Sequence, residues 1–543
     1  MRLQESREIV FSWTLIEEDL GLFSKRCVRP NGDPTVTGRM PDGEVESLVP
    51  RAEPECTHFV TTVDVQIVFD PIDGTDSTLE QIDFGVVRIV GNNIVDLGSP
   101  GTPIDPDAYR LTTPEGLVFT LDQAFGIQQV EEPNGSTLTF SDAGVVHSQG
   151  FALSFVRDGA GRITSIVAPD GTSMTYAYDT NGDLESFTDQ VQQTTNYTYR
   201  LGVEHYLEDI IDPRGVRVSR NEYDAEGRLI AIIDADGNRI EYDHDIIGRT
   251  ETIRDRRGNP TTYIYDDDGN VLLETNALGE TITRTYDADR NELSMTNDLG
   301  HTTSWTYDER GNQLTETNHL METAINTYDD RNLLLTVVDP LGLPVMSNVY
   351  DPNNTNLLTM TDALSNTTTF HWDAGIGGGC STGASLGTTD ALLQRTVIQP
   401  QCVGPFAELP LWQEDARGVR TSFGYDSLGR KTTETTTRTD ESGLVQTLIT
   451  RMDYDDKGRL FRVTDPEGNV TVTEYNAIDR ESATIDPNLN RTEYEYDARG
   501  THVLTRYPEL TTETTGYDEA GNVGSQTGRL GRSTIWVSDA ATR

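Results

Sequence analysis

The 543 residues carry 89 acidic against 42 basic side chains, a net charge of −47, and only 35 % of them are hydrophobic. A chain this acidic has few cations to set against phosphate, which argues against nucleic acid as a partner. No apolar run reaches the roughly 18 residues of a spanning helix, so no membrane insertion is expected. The low apolar share, with abundant Thr, Asp, Gly, Asn and Tyr, points to short strands and tight turns in a single-layer sheet wetted on both faces.

Residues 1–110 fall outside any repeat register and read as a β-rich N-terminal region closed by a linker at 98–103. The first 20 residues lack the basic and apolar segments of a signal peptide. Cys27 and Cys56 lie in this region, Cys380 and Cys402 much later; four cysteines allow two bridges in three connectivities, Cys27–Cys56 with Cys380–Cys402 among them, or four unpaired thiols. Phe69-Asp70-Pro71-Ile72-Asp73-Gly74-Thr75-Asp76 looks like the metal-binding stretch of the inositol monophosphatases, in which paired carboxylates bridge Mg²⁺. The upstream Glu-Glu and downstream Trp-Asp elements of that family are missing. Asp70, Asp73 and Asp76 therefore read as an Asx/Gly turn, able at most to hold Ca²⁺ adventitiously.

From residue 111 the chain is periodic. Tyr265, Tyr286, Tyr307 and Tyr328 lie 21 apart, as do Tyr454, Tyr475, Tyr496 and Tyr517, and Ser538-Asp539 holds the next register position. A second series runs half a period out of phase through Asp234, Asp255, Asn276, Asn297, Asn318 and Asp339. Earlier copies are looser: Phe119 and Phe140, Tyr178 and Tyr199, and a turn signature across 155–163. The unit reads Tyr-Asp-x-x-Gly-Arg/Asn-Leu, a strand, Asp/Asn-x-x-Gly-Asn, and a second strand. Its first-turn positions are Tyr223, Asp224 and Gly227; Tyr265, Asp266 and Gly269; Tyr286 and Asp287; Tyr307, Asp308 and Gly311; and Tyr328 and Asp329. They continue at Tyr425, Asp426 and Gly429; Tyr454, Asp455 and Gly458; Tyr496, Asp497 and Gly500; and Tyr517, Asp518 and Gly521. Asp or Asn caps backbone N–H groups and Gly supplies the positive φ that closes each corner. Two turns and two strands of about six residues fill the period, and helix should be under about a tenth of the chain. Alternation puts Trp305 and Tyr307 on one face and Ser304 and Thr306 on the other, which predicts cross-strand ring stacking on the aromatic side.

Two insertions interrupt the array, dividing it into 111–373 and 415–543. The stretch 374–414 reads as a surface loop holding Cys380 and Cys402; an excess of eight residues falls near 440–443. Gly383-Ala384-Ser385-Leu386-Gly387 spells a hydrolase nucleophile elbow, but with no apolar strand before it the reading is a flexible loop. His244, beside Tyr242-Asp243, reads as a solvated corner, and Asp266-Asp267-Asp268-Gly269-Asn270 as a plain acidic turn rather than a Ca²⁺ loop.

These residues resemble the Rhs/YD-repeat family, which takes in bacterial Rhs polymorphic toxins, shell components of insecticidal toxin complexes and the teneurin shell domain. The resemblance covers residues 111–543. It implies an all-β fold in which tandem 21-residue repeats form antiparallel β-hairpins wound into an open or cocoon-like hollow shell. It further implies a secreted or cell-surface protein without catalytic residues or cofactor, enclosing or displaying a C-terminal toxin or core segment. Asp339-Pro340-Leu341-Gly342-Leu343 matches the family's cleavage motif but sits in the second-turn register, so an ordinary turn is expected there. Two rival functions follow from other features: carbohydrate binding or adhesion through exposed aromatics, and a metal-dependent phosphatase at Asp70 and Asp73. Because the array stops mid-repeat, an unpaired edge near Trp536 and Val537 is expected to promote association as salt rises.

Overall fold

The computed structural model describes the chain outside residues 1–2, 6–12, 20–23, 31–35, 40–44, 54–55, 59–62, 73–76, 84–85, 91–92, 97–106, 114–115, 133–134, 353–355, 373–384, 402–408, 440–442 and 538–543. Asp73, Asp76, Cys380, Cys402, the 98–103 linker and Ser538-Asp539 lie outside the described residues, as do the side chains of Cys27 and Cys56. The backbones of Cys27 and Cys56 are register partners between strands Ser24–Pro30 and Cys56–His58. Among the described residues there is no helix, and the strands pair antiparallel with their neighbours. The chain divides into two compact units: residues 1–152, 305–317 and 322–409, and residues 153–304, 318–321 and 410–543.

The first unit contains the apolar core. In strand Val63–Ile72, Val65, Ile67 and Phe69 are buried while Gln66 and Asp70 are exposed, the period-two pattern of a sheet with one dry face. Leu48, Ala52, Leu79, Val87, Tyr109, Leu111, Phe119 and Leu121 complete the cluster. Tyr109 is fully buried and meets the Phe69 ring edge-on at 5.9 Å. The boundary expected at 110/111 falls inside strand Ala108–Thr112, which pairs with Thr78–Gln81 on one side and Val118–Asp122 on the other. The first repeat strand is thus packed into the N-terminal core.

The 374–414 stretch is not simply a loop. Ser385–Thr389 is a strand on Thr367–Trp372, with Phe370 opposite Thr388 and Trp372 opposite Ser385. Asp390 to Gln394 then closes a turn of the repeat type: the Leu393 N–H donates to Asp390 O at 3.0 Å, and the Asp390 N–H to Gln394 O at 3.1 Å. Strands Val397–Pro400 and Pro410–Glu414 follow. The Gly383–Gly387 motif therefore ends in a β-strand rather than a flexible loop, because Thr388 and Thr389 supply strand-forming residues after it.

The second unit is built from repeat hairpins in regular succession. Strands such as Thr281–Tyr286 and Glu292–Asn297 pair around a first turn, with a bulge between Thr285 and Tyr286. Their side chains are mostly half-buried, as a single layer requires. The extra residues near 440 lengthen one hairpin, Lys431–Thr439 with Val445–Tyr454, instead of forming a separate element.

Candidate functional site at the turn tips

Most corners repeat one geometry. At 266–270 the Asp266 N–H donates to Asn270 O at 3.0 Å and the Gly269 N–H to Asp266 O. This is a type I turn closed by a positive-φ residue. The carboxylate is fully used. Oδ1 accepts the N–H groups of Asp268 (2.9 Å) and Asn270 (2.8 Å), and Oδ2 accepts the Asn270 side-chain amide at 2.9 Å. Where Arg stands in place of Asn, its guanidinium takes the same oxygen: Arg228 Nε reaches Asp224 Oδ2 at 2.6 Å, and Arg459 Nε reaches Asp455 Oδ2 at 2.8 Å. The Asp-x-x-Gly-Arg/Asn signature is a self-contained ring of donors around one anion. These contacts hold the Asp266 and Asp287 carboxyls below the usual value, the side-chain amides of Asn270 and Asn291 contributing most.

The repeat tyrosines stitch successive first turns together. Tyr286 Oη donates to Val271 O at 3.2 Å, Tyr328 to Gln313 O at 3.1 Å, Tyr475 to Leu460 O at 2.8 Å and Tyr496 to Glu481 O at 2.8 Å. The ladder between Val271–Thr275 and Thr281–Tyr286 stops at Leu273 opposite Thr283. Val271 O lies past its end, and the phenol supplies the donor it lacks there. Trp372 takes the same role, Nε1 donating to Leu357 O at 2.7 Å. His244 does so too, with Nε2 2.8 Å from Leu229 O. A carbonyl only accepts, so Nε2 carries the proton.

His244 is thus not a solvated corner: it stands 21 residues after Tyr223 and replaces the repeat tyrosine, a phase obscured by the neighbouring Tyr242. His244→Phe should cost about 0.5–1.5 kcal/mol by orphaning the Leu229 carbonyl, and His244→Tyr should cost less; urea midpoints of the two variants check this.

The expected ring-stacking ladder is realised only locally, as at Tyr176–Phe187 (5.3 Å) and Tyr206–Tyr223 (5.0 Å). Elsewhere guanidinium groups cover the rings, with Arg459 4.5 Å above Tyr475 and Arg420 3.7 Å above Trp412. The hydroxyl face, in contrast, pairs across strands: Thr285 with Ser294 at 2.7 Å, Thr296 with Thr302 at 2.8 Å, Thr306 with Thr315 at 2.6 Å.

Within the second unit the first-turn tips of 455–521 dock on the second-turn rim of 189–258. Lys457, 11 % exposed, places Nζ 2.5 Å from Asp189 Oδ2 and 2.5 Å from Asp479 Oδ1. Arg214 donates to Asp497 O at 2.9 Å and Ala498 O at 2.7 Å. Arg499 Nε lies 2.9 Å from Asp236 Oδ2, and Arg257 pairs with Asp518. Pro213 and Ile478 line a cleft of about 600 Å³ beside Lys457. Burial pushes the Asp189 carboxyl up, but the Lys457 ammonium and the N–H groups of Gln193 and Val191 outweigh it, and the group sits below its usual value. The sequence gives a faint signal of this seam, namely charges on the outward positions of turns; their partners are more than 200 residues away and could not be read from it.

Other candidates resolve locally. Asp70 is exposed and accepts from Arg51 Nε at 2.8 Å. Among the described residues no group of three or more His, Cys, Asp or Glu side chains is placed to hold a metal ion. Asp339–Leu343 is a turn like its neighbours, the Gly342 N–H donating to Asp339 O at 2.9 Å.

Residues 154–278 match the teneurin YD-shell family model, and 265–302 and 454–491 match the RHS repeat model. No curated protein matches. Among solved structures the chain is similar to the crystal structure of TcdB2-TccC3-Cdc42, at 15 % identity and TM-score 0.41, over 79 % of this chain and 25 % of that one. It is also similar to the Photorhabdus luminescens Tc holotoxin pore, at 13 % identity and TM-score 0.37, over 96 % of this chain and 27 % of that one. The chain thus spans about a quarter of the length of these two structures' chains. Residues 154–302 and 454–491 are thus similar to RHS/YD-repeat sequence, and their strands pair as antiparallel hairpins of an all-β fold.

Proposed function

We propose that the chain is a non-catalytic wall segment of an RHS/YD shell, secreted or surface-displayed, which encloses or presents a toxin or other cargo belonging to a C-terminal segment or a partner chain. The observation that carries this reading is the seam in the second unit. There a strip of hairpins is fastened to a second strip of the same chain by its turn tips, through contacts between residues 189–257 and 457–518. A wall needs such lateral fastening, because a single half-buried layer has little core with which to hold its own curvature. Repeat tyrosines such as Tyr286 and Tyr328 are half-buried with their hydroxyls committed to backbone carbonyls, which weakens the carbohydrate-binding alternative.

The test is protection of cargo. A protease-sensitive reporter domain joined after Arg543 of the full chain should survive a proteinase K dose that digests the free reporter. Digestion of the joined and free reporters at the same rate sinks the enclosing role.

A further inference from the structure

The seam poses a problem that its backbone cannot solve. The rim turns and docking tips share one geometry, the tips recurring every 21 residues and the rim turns every 21 to 23, so a tip row shifted by one hairpin would meet an almost identical rim. The side chains differ. Along the rim the seam-facing groups are Asp189, Arg214, Asp236 and Arg257; in that order they meet Lys457, the backbone carbonyls of Asp497 and Ala498, Arg499 and Asp518, while Asp479 joins Lys457 from within the tip row. The rim alternates negative and positive, and each of its charges meets a group of opposite sense: a cation at Asp189 and Asp236, carbonyl oxygens at Arg214 and a carboxylate at Arg257.

We propose that this alternation is a register code, which fixes the one alignment in which residues 455–521 dock on residues 189–258. A slip of one hairpin brings Lys457 against Arg214, Arg499 against Arg257, or Asp518 against Asp236. Each mismatch sets like charges together, and the code works as much by repelling wrong alignments as by favouring the right one. Several of the groups are well shielded: Asp189 is 9 % exposed, Arg499 16 % and Arg257 19 %. Water and salt therefore relieve a mismatch poorly, and register selection is the best-attested use of such buried pairs. Pro213 and Ile478, in the cleft between the rows, add apolar contact but no discrimination. The inference concerns alignment within one unit and does not depend on the cargo reading.

Asp236 is the cleanest position to invert, since its carboxylate faces Arg499 while the cap of its own turn is Asp234, whose Oδ1 accepts the Asp236 and Asn238 N–H groups. In the full chain, amide exchange at 234–238 and 497–501 should quicken modestly for Asp236→Asn and by at least about tenfold for Asp236→Lys. The ladder between Gln313–Thr317 and Thr323–Tyr328 should keep its protection in both variants. Arg257→Gln and Arg257→Glu should give the same order at 255–259 and 518–522, an independent pair should one inversion fail to fold. The code is overturned if the inverted variants keep wild-type protection. It is equally overturned if neutral and inverted substitutions cost the same, because the contacts would then act as hydrogen bonds whose sign is irrelevant.

Discussion

Acidification from about pH 6 to about pH 3 at physiological salt is expected to lower the urea midpoint of the repeat array steeply, with little change above the carboxylate range. The turn carboxyls carry this behaviour. Those of Asp266, Asp287, Asp362, Asp465 and Asp486 are held below their ordinary value of 3.8, chiefly by the side-chain amide of the Asn that closes each turn, with backbone N–H groups adding to it. For Asp224 and Asp455 burial acts in the opposite sense, and the donors of Arg228 and Arg459 outweigh it. A carboxyl whose folded pKa is depressed releases its proton more readily than in the unfolded chain. Its contribution is present in full above the unfolded pKa and is lost as pH falls through the folded one. Because the same corner recurs down the array, many small losses fall in one pH window.

Acid also relieves the self-repulsion of a chain with net charge −47, which acts in the stabilising direction. That repulsion is spread through solvent and screened beyond about 8 Å at physiological salt, whereas each cap is a direct contact. The caps should therefore win. A midpoint that holds or rises down to pH 3 would falsify the view that carboxylate corners hold the hairpins.

The corners were legible because their chemistry is local: an Asp, a positive-φ Gly and an Arg or Asn close a ring within five residues, as at 224–228. The tyrosine's hydroxyl bond was not, since its acceptor lies 15 residues back, past the end of a ladder. His244 was misread for the same reason: nothing in the residue type says that a ring nitrogen will take a phenol's place. In the 374–414 insertion Leu393 adopts φ 61° where the motif would have Gly, so the turn at Asp390 gave no motif match although it folds as one. The seam was the least legible feature. Arg257 and Asp518 are 261 residues apart, and only the fold makes them neighbours.

Gly387→Ala should be among the most damaging single-methyl additions in the chain, costing about 2–5 kcal/mol from a strained backbone and an overpacked neighbour together. Gly387 lies within strand Ser385–Thr389 at φ 110°, a region that L side chains rarely enter. An added Cβ would overlap the backbone carbonyl of Thr396 and press on the Cα of Val397. That neighbour cannot swing aside, because the Thr396 N–H donates to Thr388 O at 2.8 Å and Thr389 bridges Arg395. The turn glycines form the comparison. Gly458, at φ 82°, leaves room for a Cβ with only Arg430 nearby, so Gly458→Ala should cost about 1–2 kcal/mol from backbone strain alone. Gly458→Val and Gly311→Val should reach about 1–3 kcal/mol, since a β-branched residue is poorly tolerated at positive φ. His301→Ala should cost least, because His301 and the His319 ring stacked on it at 4.2 Å are both exposed. Urea midpoints at one pH rank the variants. If Gly387→Ala were as mild as His301→Ala, the strand at 385–389 would be wrong and the flexible-loop reading of that stretch would return.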